Sequence, residues 1–505
     1  MKNLENLRPQ SQLKIPYITA VWEKTNSRQD AWIVLVISMV AIMPAWMNYD
    51  ILARDGAHLY IPLAKMIMNG KFLEAVSSPL KPLFLPLYEL LIFLIAIITG
   101  FGLETSGRLV SAVSFLFAAV AMYKITDILF KDRAVSFFSV VMLLANRELI
   151  KCSVDCLKES LLVALVLWGN YFILKGIYSS GAKFRCFLAG CLFFVAGGLV
   201  RSTALIFLIT WGVMWVFHKK QGVFFRLLVF LLPITAAVAA YYLNNQYHWE
   251  LPFFRRSYGL GKLTDLNLDA LALMKYSANM IRQFLAKWYY IIAVFGFLGV
   301  YWLRKEAYTK LFLLLFIMFF VVCTITGYFF IDRYIIASVV AIYPLAAYAL
   351  VRSLRSKNTY MKIISCITIA FCVFLWAQKV FTPPSPDKLA RKEAGLWILS
   401  QVGPEKPLLT NRPRIGFYAD TTPYVVLEFT SLEKKDQIIA RKIPYWENDT
   451  VLISKLRDKD GLTMAVALDL GIESQEVKLL AEELSSWKLK PDRTFRNIQV
   501  YLPGS

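Results

Sequence analysis

Residues 311–330 read LFLLLFIMFFVVCTITGYFF and contain no charged side chain. A helix of about 20 apolar residues crosses the hydrocarbon core of a bilayer, so this stretch predicts a membrane-spanning helix. Similar apolar segments recur from the N-terminus to about residue 376. They lie at 31–46, 83–99, 109–130, 134–145, 161–174, 187–200, 204–217, 224–243, 284–303, 334–351 and 363–376. The repetition predicts an α-helical polytopic membrane protein.

The composition excludes an ordinary soluble protein. Of the 505 residues, 57% are hydrophobic, 15% are aromatic and 18% are charged, so polar surface is too scarce to enclose one soluble core. The formal net charge is +21, but the basic residues are scattered between apolar runs, and nucleic acid is therefore not predicted as a partner. Membrane lipids and phosphate groups are the expected anionic partners. The seven cysteines indicate no disulfide framework.

The distribution of Lys and Arg predicts the topology, because cytoplasmic loops are enriched in both. Nearly every short basic loop falls on the cytoplasmic side if eleven segments span the membrane and the segment 83–99 does not reverse the chain. Pro79, Pro82 and Pro86 at the start of that segment suit a helix lying at the outer interface. The predicted division is a cytoplasmic segment at 1–30, a transmembrane region at 31–380 and a small outer-face α/β domain at 381–505.

After residue 380 the long apolar runs stop, and short alternating elements follow. Helices are predicted at 388–401 and 475–487. Strands are predicted at 407–410, 414–418, 425–429, 451–454, 463–468 and 497–502. The sequence Asp458-Lys459-Asp460 copies an acid-x-acid motif of nucleotide-sugar enzymes, but with Gly461 after it, between two strands, it is more typical of a turn.

Two acidic loops on the predicted outer side are the first candidates for chemistry. Asp55 precedes residues whose apolar side chains recur at helical spacing, which predicts a short helix after it. Asp155 lies in a short turn, and Glu159 follows four residues later, so the two carboxylates are predicted to share one helix face. Converging acids suit general-base catalysis or the binding of a divalent cation. The alternatives are a helix cap at Asp55 and solvated acids neutralised by Lys151 and Lys158.

Basic residues on the predicted outer side run against the cytoplasmic bias and therefore call for a local reason. A bound phosphate group is one reason, and contact with lipid headgroups is the alternative. The candidates are Lys81, Arg201, Arg255, Arg256 and Arg333. No cofactor is identified with certainty, since Cys152, Cys156 and His58 make only a weak metal signature, and a divalent cation stays open.

The order of these residues resembles that of the polytopic glycosyltransferases of the GT-C superfamily, in particular the branch with the protein O-mannosyltransferases and the lipid A aminoarabinose transferase. The resemblance covers roughly residues 30 to 350 and rests on short motifs in a shared order. They are Asp55 with Tyr60 and Gly70, then Lys81-Pro82-Leu83, then Asp155, then Arg201 after a Gly-Leu, and then Arg333-Tyr334. One departure is Gly56, because the protein mannosyltransferases usually have Glu after the first acid; this disfavours a protein acceptor.

The resemblance implies a sugar donor on a polyprenyl phosphate and an inverting transfer at the outer face to a lipid or glycan acceptor. Asp55 would be the general base, and Asp155 would orient an acceptor, a base or a cation. The donor phosphate would be bound by Lys81 and Arg201, with Arg255, Arg256 or Arg333. The further candidates for orienting substrate are His58, Tyr60, Glu159 and Tyr334.

Two other classes of function fit a basic polytopic chain. A lipid-linked sugar flippase or secondary transporter is one, although repeated halves and helices broken at the midplane, which are typical of transporters, are missing from the sequence. A catalytically silent scaffold that binds envelope glycan is the other. The lack of a retrieval tail and of cysteines in the outer domain favours a bacterial inner membrane as the location, with the C-terminal domain outside the cytoplasm.

Overall fold

The computed structural model describes two groups of elements, a helical bundle and a C-terminal sheet. The described residues are 27–48, 56–72, 75, 87–178, 183–201, 203–216, 291–306, 309–310, 313–314, 336, 340–383, 385–404, 406–420, 422–429, 437–442, 447–452, 456–458, 461–471, 475–487 and 489–503. Some predicted spans therefore lie outside the described residues: all of 224–243, nearly all of 311–330, and the first parts of 284–303 and 334–351.

The bundle consists mainly of apolar helices. The first four helices are α1 (Ser27–Met47), α2 (Ile61–Met68), which continues a π-helical turn at Gly56–Tyr60, α3 (Leu87–Thr99) and α4 (Leu103–Phe130). Next come α5 (Arg133–Leu144), α6 (Arg147–Val154), α7 (Glu159–Tyr178), α8 (Lys183–Val200) and α9 (Ala204–Val216). The last are α10 (Ile291–Trp302), α11 (Tyr343–Leu354) and α12 (Thr359–Phe381).

Four helices in the described part of the chain are long and apolar enough to cross a membrane. They begin at Gln29, Leu103, Glu159 and Thr359. On α1, large apolar side chains face outward; Trp32 is 68% exposed and Val40 is 63% exposed. In water such a surface would be a liability, whereas a lipid-facing helix requires it. The integral membrane prediction is confirmed in this general form, while eleven spans and a non-reversing helix at 83–99 stay predictions.

Small residues bring helices α7 and α8 close together. A Cβ atom at Gly190 would lie 3.0 Å from the carbonyl oxygen of Gly169, and one at Gly169 would lie 2.8 Å from the ring of Phe194. Glycines at an interface between membrane helices allow this approach of the two backbones. One buried side-chain hydrogen bond adds to the packing around α7, because Trp211 Nε1 on α9 donates to Asn170 Oδ1 at 2.8 Å.

The two ends of the bundle differ in their polar residues. At one end, Tyr123 donates a hydrogen bond of 3.0 Å to the buried carboxylate of Asp30, and Arg133 lies 3.3 Å from the same group. Asp132 caps α5 at that end and pairs with Arg355. The opposite end carries the C-terminus of α1, the N-terminus of α4 and the C-terminus of α6. We call it the Asp155 end.

The C-terminal residues form a mixed sheet with helices against it. Helix α13 (Pro386–Val402) leads into β1 (Pro407–Thr410), α14 (Pro413–Tyr418), β2 (Thr422–Phe429), β3 (Gln437–Lys442) and β4 (Glu447–Leu452). A hairpin of β5 (Arg457–Asp458) and β6 (Gly461–Leu462) precedes β7 (Ala465–Asp469), α15 (Gln475–Ser486), β8 (Arg493–Phe495) and β9 (Ile498–Tyr501). The sheet order is β4-β3-β2-β1-β7-β9-β8, with β1 parallel to both β2 and β7.

Several short predictions can be compared with this sheet. The predicted strand at 407–410 coincides with β1, and the turn predicted after Asp458 is confirmed, because Asp458 and Gly461 are cross-strand partners in a hairpin. The strand predicted at 414–418 is wrong. Those residues belong to α14, where Pro413 occupies the first turn, a position that proline favours because its φ already suits a helix.

Candidate active site at the Asp155 end

The described residues include four of the predicted site residues with their side chains: Tyr60, Asp155, Glu159 and Arg201. His58 lies in the π-helical turn, but its side chain is not described. Outside the described residues lie Asp55, Lys81, Arg255, Arg256, Arg333 and Tyr334. The four described side chains all lie at the Asp155 end of the bundle.

A buried ion pair joins Glu159 and Arg201. Glu159 is the first residue of α7, and Arg201 directly follows the last residue of α8, so the two antiparallel helices bring these ends together. Arg201 Nη1 lies 2.9 Å from Glu159 Oε1; the two side chains are 14% and 1% exposed. An acid at a helix N-terminus and a cation at a C-terminus also match the helix dipoles.

The Asp155 carboxylate is completely buried between two helices. Asp155 follows α6 with an extended backbone (φ −110°, ψ 162°), and its Oδ1 accepts a hydrogen bond of 2.8 Å from the backbone N–H of Cys156. The prediction that Asp155 and Glu159 share one helix face is therefore wrong. The extended backbone at Asp155 ends α6, and α7 begins anew at Glu159, so Asp155 lies between two helices and only Glu159 belongs to α7. The short turn predicted around Asp155 is preceded directly by a helix, because the residues up to Val154 belong to α6.

Arg108, which sequence reasoning missed, binds the ends of two helices. Its Nη2 donates to the carbonyl of Trp46 near the end of α1 at 2.7 Å, and its Nε donates to the carbonyl of Val154 at the end of α6 at 3.0 Å. The guanidinium also lies 4.5 Å from the centre of a Trp46 ring. The last carbonyls of a helix lack intrahelical donors, and a cation satisfies them well. The one available signal was an arginine just before the predicted span 109–130.

Tyr60 packs against residues that hold the Asp155 turn. Its ring meets that of Tyr88 edge to face, with centroids 5.3 Å apart, and Lys158 Nζ lies 5.5 Å from the centre of the Tyr60 ring. The Tyr88 hydroxyl is 2.8 Å from Ser111 Oγ, which donates to the carbonyl of Leu157 at 3.1 Å. The helix that follows Asp55 in sequence is thus connected to the turn that contains Asp155.

The C-terminal region contacts the same end of the bundle. Tyr418, on α14, packs in a small apolar cluster with Ala57, Ile61 and Cys156. Two residues later, Asp420 pairs with Lys65 of α2 at 2.9 Å. The segment Gly56–Met68, which directly follows Asp55, is therefore held between the bundle and the C-terminal region.

No protein-family model matches the sequence, and no curated protein matches it. Among solved structures, the chain is similar to ArnT from Cupriavidus metallidurans in the form bound to undecaprenyl phosphate. The TM-score is 0.62 at 13% identity, and the similarity covers 93% of this chain and 97% of ArnT. The apo form of ArnT gives a TM-score of 0.60 at 14% identity. The apo oligosaccharyltransferase of Archaeoglobus fulgidus gives 0.55 at 13% identity, covering 91% of this chain and 71% of that one. These are GT-C proteins.

The chain has the fold of these GT-C proteins.

Within this GT-C fold, the cysteines near Asp155 are poor candidates for metal binding. Cys152 and Cys156 are both buried, and burial first, with nearby carboxylates second, raises the pKa of each thiol well above its usual value. A thiol binds metal as the thiolate, which these surroundings disfavour. No cluster of three or more His, Cys, Asp or Glu residues among those described is arranged to hold a metal ion. A cation held with Asp55 stays a prediction.

Proposed function

We propose that this protein transfers a sugar from a polyprenyl-phosphate donor to a lipid or glycan acceptor at the outer face of the membrane, with inversion and with Asp55 as the general base. The observation that carries the proposal is the GT-C fold, shared over 93% of the chain with a protein whose structure holds undecaprenyl phosphate. A second neighbour, with a TM-score of 0.53, is an oligosaccharyltransferase from Archaeoglobus fulgidus.

In the proposed reaction the acceptor oxygen attacks the anomeric carbon as Asp55 takes its proton, and the bond from that carbon to the phosphate oxygen breaks. The polyprenyl phosphate leaves as an anion, so preorganised cations beside it lower the barrier. Arg201 suits this role because Glu159 fixes its position, and a guanidinium has five N–H donors with which to bind a second oxyanion. The proposed donor-phosphate residues also include Lys81, Arg255, Arg256 and Arg333.

The buried Asp155 is proposed to orient the acceptor, the base or a divalent cation rather than to take the proton itself. Its Oδ1 is fixed by the backbone of Cys156, and Arg108 fixes the helix end immediately before it. Tyr60, His58, Glu159 and Tyr334 are proposed to position substrate. Gly56 after Asp55 continues to favour a lipid or glycan over a protein acceptor.

The proposed setting is a bacterial inner membrane crossed eleven times. The segment 83–99 would lie at the outer face without reversing the chain, and residues 381–505 would form an outer-face domain. The contact of Tyr418 and Asp420 with the segment after Asp55 supports this arrangement, because a domain on the catalytic side must lie at the same end as the catalytic loop.

The test is release of free polyprenyl phosphate by purified protein in lipid, supplied with polyprenyl-phosphate sugars and a mixed acceptor extract. Asp55→Asn should reduce release by about 100-fold or more, the usual contribution of a positioned general base. Asp127→Asn, which removes a carboxylate from the other end of α4, is the matched control and should behave as the native protein does.

Equal release by the native protein and Asp55→Asn would overturn the assignment of the base. If no donor supports release, translocation of a fluorescent lipid-linked sugar across liposomes would test the flippase alternative. Capture of envelope glycan by protein that neither releases nor translocates would leave the scaffold alternative.

A further inference from the structure

The sheet of the C-terminal region has a topological switch point at β1. From β1 the chain passes through α14 to the parallel strand β2 on one side, and it later returns to the parallel strand β7 on the other side. In open α/β sheets, ligands bind in the crevice outside the carboxyl ends of the strands at such a point. Here the crevice is lined by Asn411 and Arg412 after β1, by Asp469 at the end of β7 and by Arg391 of α13.

One buried carboxylate in this crevice holds two arginines. Asp469 is 4% exposed. Its Oδ2 lies 2.8 Å from Arg391 Nη2 and 3.2 Å from Arg412 Nε, and its Oδ1 accepts a hydrogen bond from the backbone of Gly471. Asn411 locks the strand ends by bonding to both the N–H and the carbonyl of Asp469. Asp469 thus positions both guanidinium groups but balances only one of their two positive charges.

The excess positive charge extends beyond these two arginines. Burial first and Arg391 second lower the pKa of Arg412, and Arg414 lowers it further, against the opposing effect of Asp469. The Arg412 side chain is 32% exposed. Neither Nη1 nor Nη2 of Arg412 has a hydrogen-bond acceptor among the residues that the structure describes. An oxyanion would supply both the acceptors and the missing negative charge.

The crevice lies on the side of the C-terminal region that meets the candidate active site. Arg412 immediately precedes α14, and the far end of that short helix packs on Ala57 and Ile61 through Tyr418. Lys388, on the same helix as Arg391, interacts electrostatically with Asp155 and with Arg414. Helix α13 thus carries a cation near Asp155 one turn before Arg391.

We propose that Arg412 and Arg391, held by Asp469, form an oxyanion-binding site that takes a phosphate or carboxylate group of the sugar acceptor. This inference rests on the proposed function for its assignment to the acceptor. The donor phosphate is tethered to a chain in the bilayer and has its own candidate cations at the helix ends, whereas this crevice belongs to the sheet. A guanidinium group is a planar fork of N–H donors suited to a carboxylate or to phosphate.

The direct test is equilibrium binding of radiolabelled inorganic phosphate to the full chain in nanodiscs of phosphatidylcholine. Arg412→Gln should weaken the phosphate binding at this site about 10- to 100-fold, as expected for loss of a charged hydrogen-bond donor. Arg391 still pairs with Asp469 in this variant, so the fold should persist, which circular dichroism can verify. Arg493→Gln, which removes the same charge from the edge strand β8, is the control and should bind as the native protein does.

A second set of nanodiscs containing phosphatidic acid separates a lipid-borne from a free oxyanion. In both sets the measurement is the modification of the two arginines by phenylglyoxal. Protection from this modification by phosphatidic acid alone would assign the site to a lipid-borne group. Protection by inorganic phosphate as well would assign it to an oxyanion of either source. Equal phosphate binding by native protein and Arg412→Gln, with no protection in either set, would reduce the cluster to an ion pair that fastens α13 to the sheet. Asp55→Asn should leave this binding unchanged, so failure of the transferase proposal is measured separately.

Discussion

Replacing Glu159 by Gln should destabilise the protein by about 3–5 kcal/mol, because it leaves the guanidinium of Arg201 buried without its carboxylate. The two charged groups are 2.9 Å apart and 1% and 14% exposed. At 2.9 Å the attraction of two unit charges is about 6 kcal/mol for an effective dielectric constant near 20. Replacing both residues by Gln removes both charges, so the double variant should lose much less than the sum of the two single variants.

The assay is equilibrium unfolding in mixed micelles, followed by the fluorescence of the 13 tryptophans, for native protein, Glu159→Gln, Arg201→Gln and the double variant. Glu148→Gln provides the control, since Glu148 pairs with Lys151 at 3.9 Å with side chains that are 27% and 41% exposed. Such a partly exposed pair should contribute less than about 1 kcal/mol. The reasoning is refuted if Glu159→Gln costs no more than Glu148→Gln, or if the two single effects simply add.

Gly299→Ala should lower the melting temperature sharply, because the added Cβ would collide with the backbone of α11. Gly102→Ala is the control and should not lower it, because the space around Gly102 is open. An unchanged melting temperature in both variants would contradict the close contact of α10 and α11. Reversing the charge of Lys65 or of Asp420 alone should lower transferase activity, and exchanging the two residues for each other should restore much of it. No rescue in a turnover assay would contradict the contact between the C-terminal region and α2. Cys156 should stay unlabelled by maleimide at pH 8 until the protein is unfolded, since burial raises the pKa of its thiol and keeps it protonated there; rapid labelling seen by mass spectrometry would show that this end is open.

Much of the helical architecture could be predicted from apolarity and periodicity. Apolarity predicts a helix at 109–130 and periodicity one at 388–401, and the structure has Leu103–Phe130 and Pro386–Val402. The boundaries differ because a helix continues through polar residues as long as its backbone bonds are satisfied, whereas the lipid requires apolar side chains only within its core.

The failures have specific physical causes. The strand predicted at 414–418 covers too few residues for a period of two to be distinguished from one of 3.6. Strand β3 was missed because its pairing with β2 and β4 is a tertiary property that its own sequence specifies weakly. The spacing of Asp155 and Glu159 suggested one helix face, since nothing local reveals that the backbone becomes extended at Asp155.

The candidate site was only partly accessible to sequence reasoning for a related reason. Asp155, Glu159 and Arg201 could be selected as charges near predicted helix ends, but the pairing of Glu159 with Arg201 joins residues 42 positions apart. Arg108 has partners 62 and 46 positions away in the chain. Contacts over such separations leave no periodic signature, so the fold must be known before these roles can be recognised.

The guanidinium of Arg108 makes two distant parts of the chain share one anchor. Trp46 lies near the end of α1, and Val154 is the last residue of α6 and directly precedes Asp155; the carbonyls of both accept hydrogen bonds from this one side chain. A displacement of α4 would therefore shift the ends of α1 and α6 in the same direction. The spacing between these two helix ends would survive a tilt of the helices in a thicker or thinner membrane.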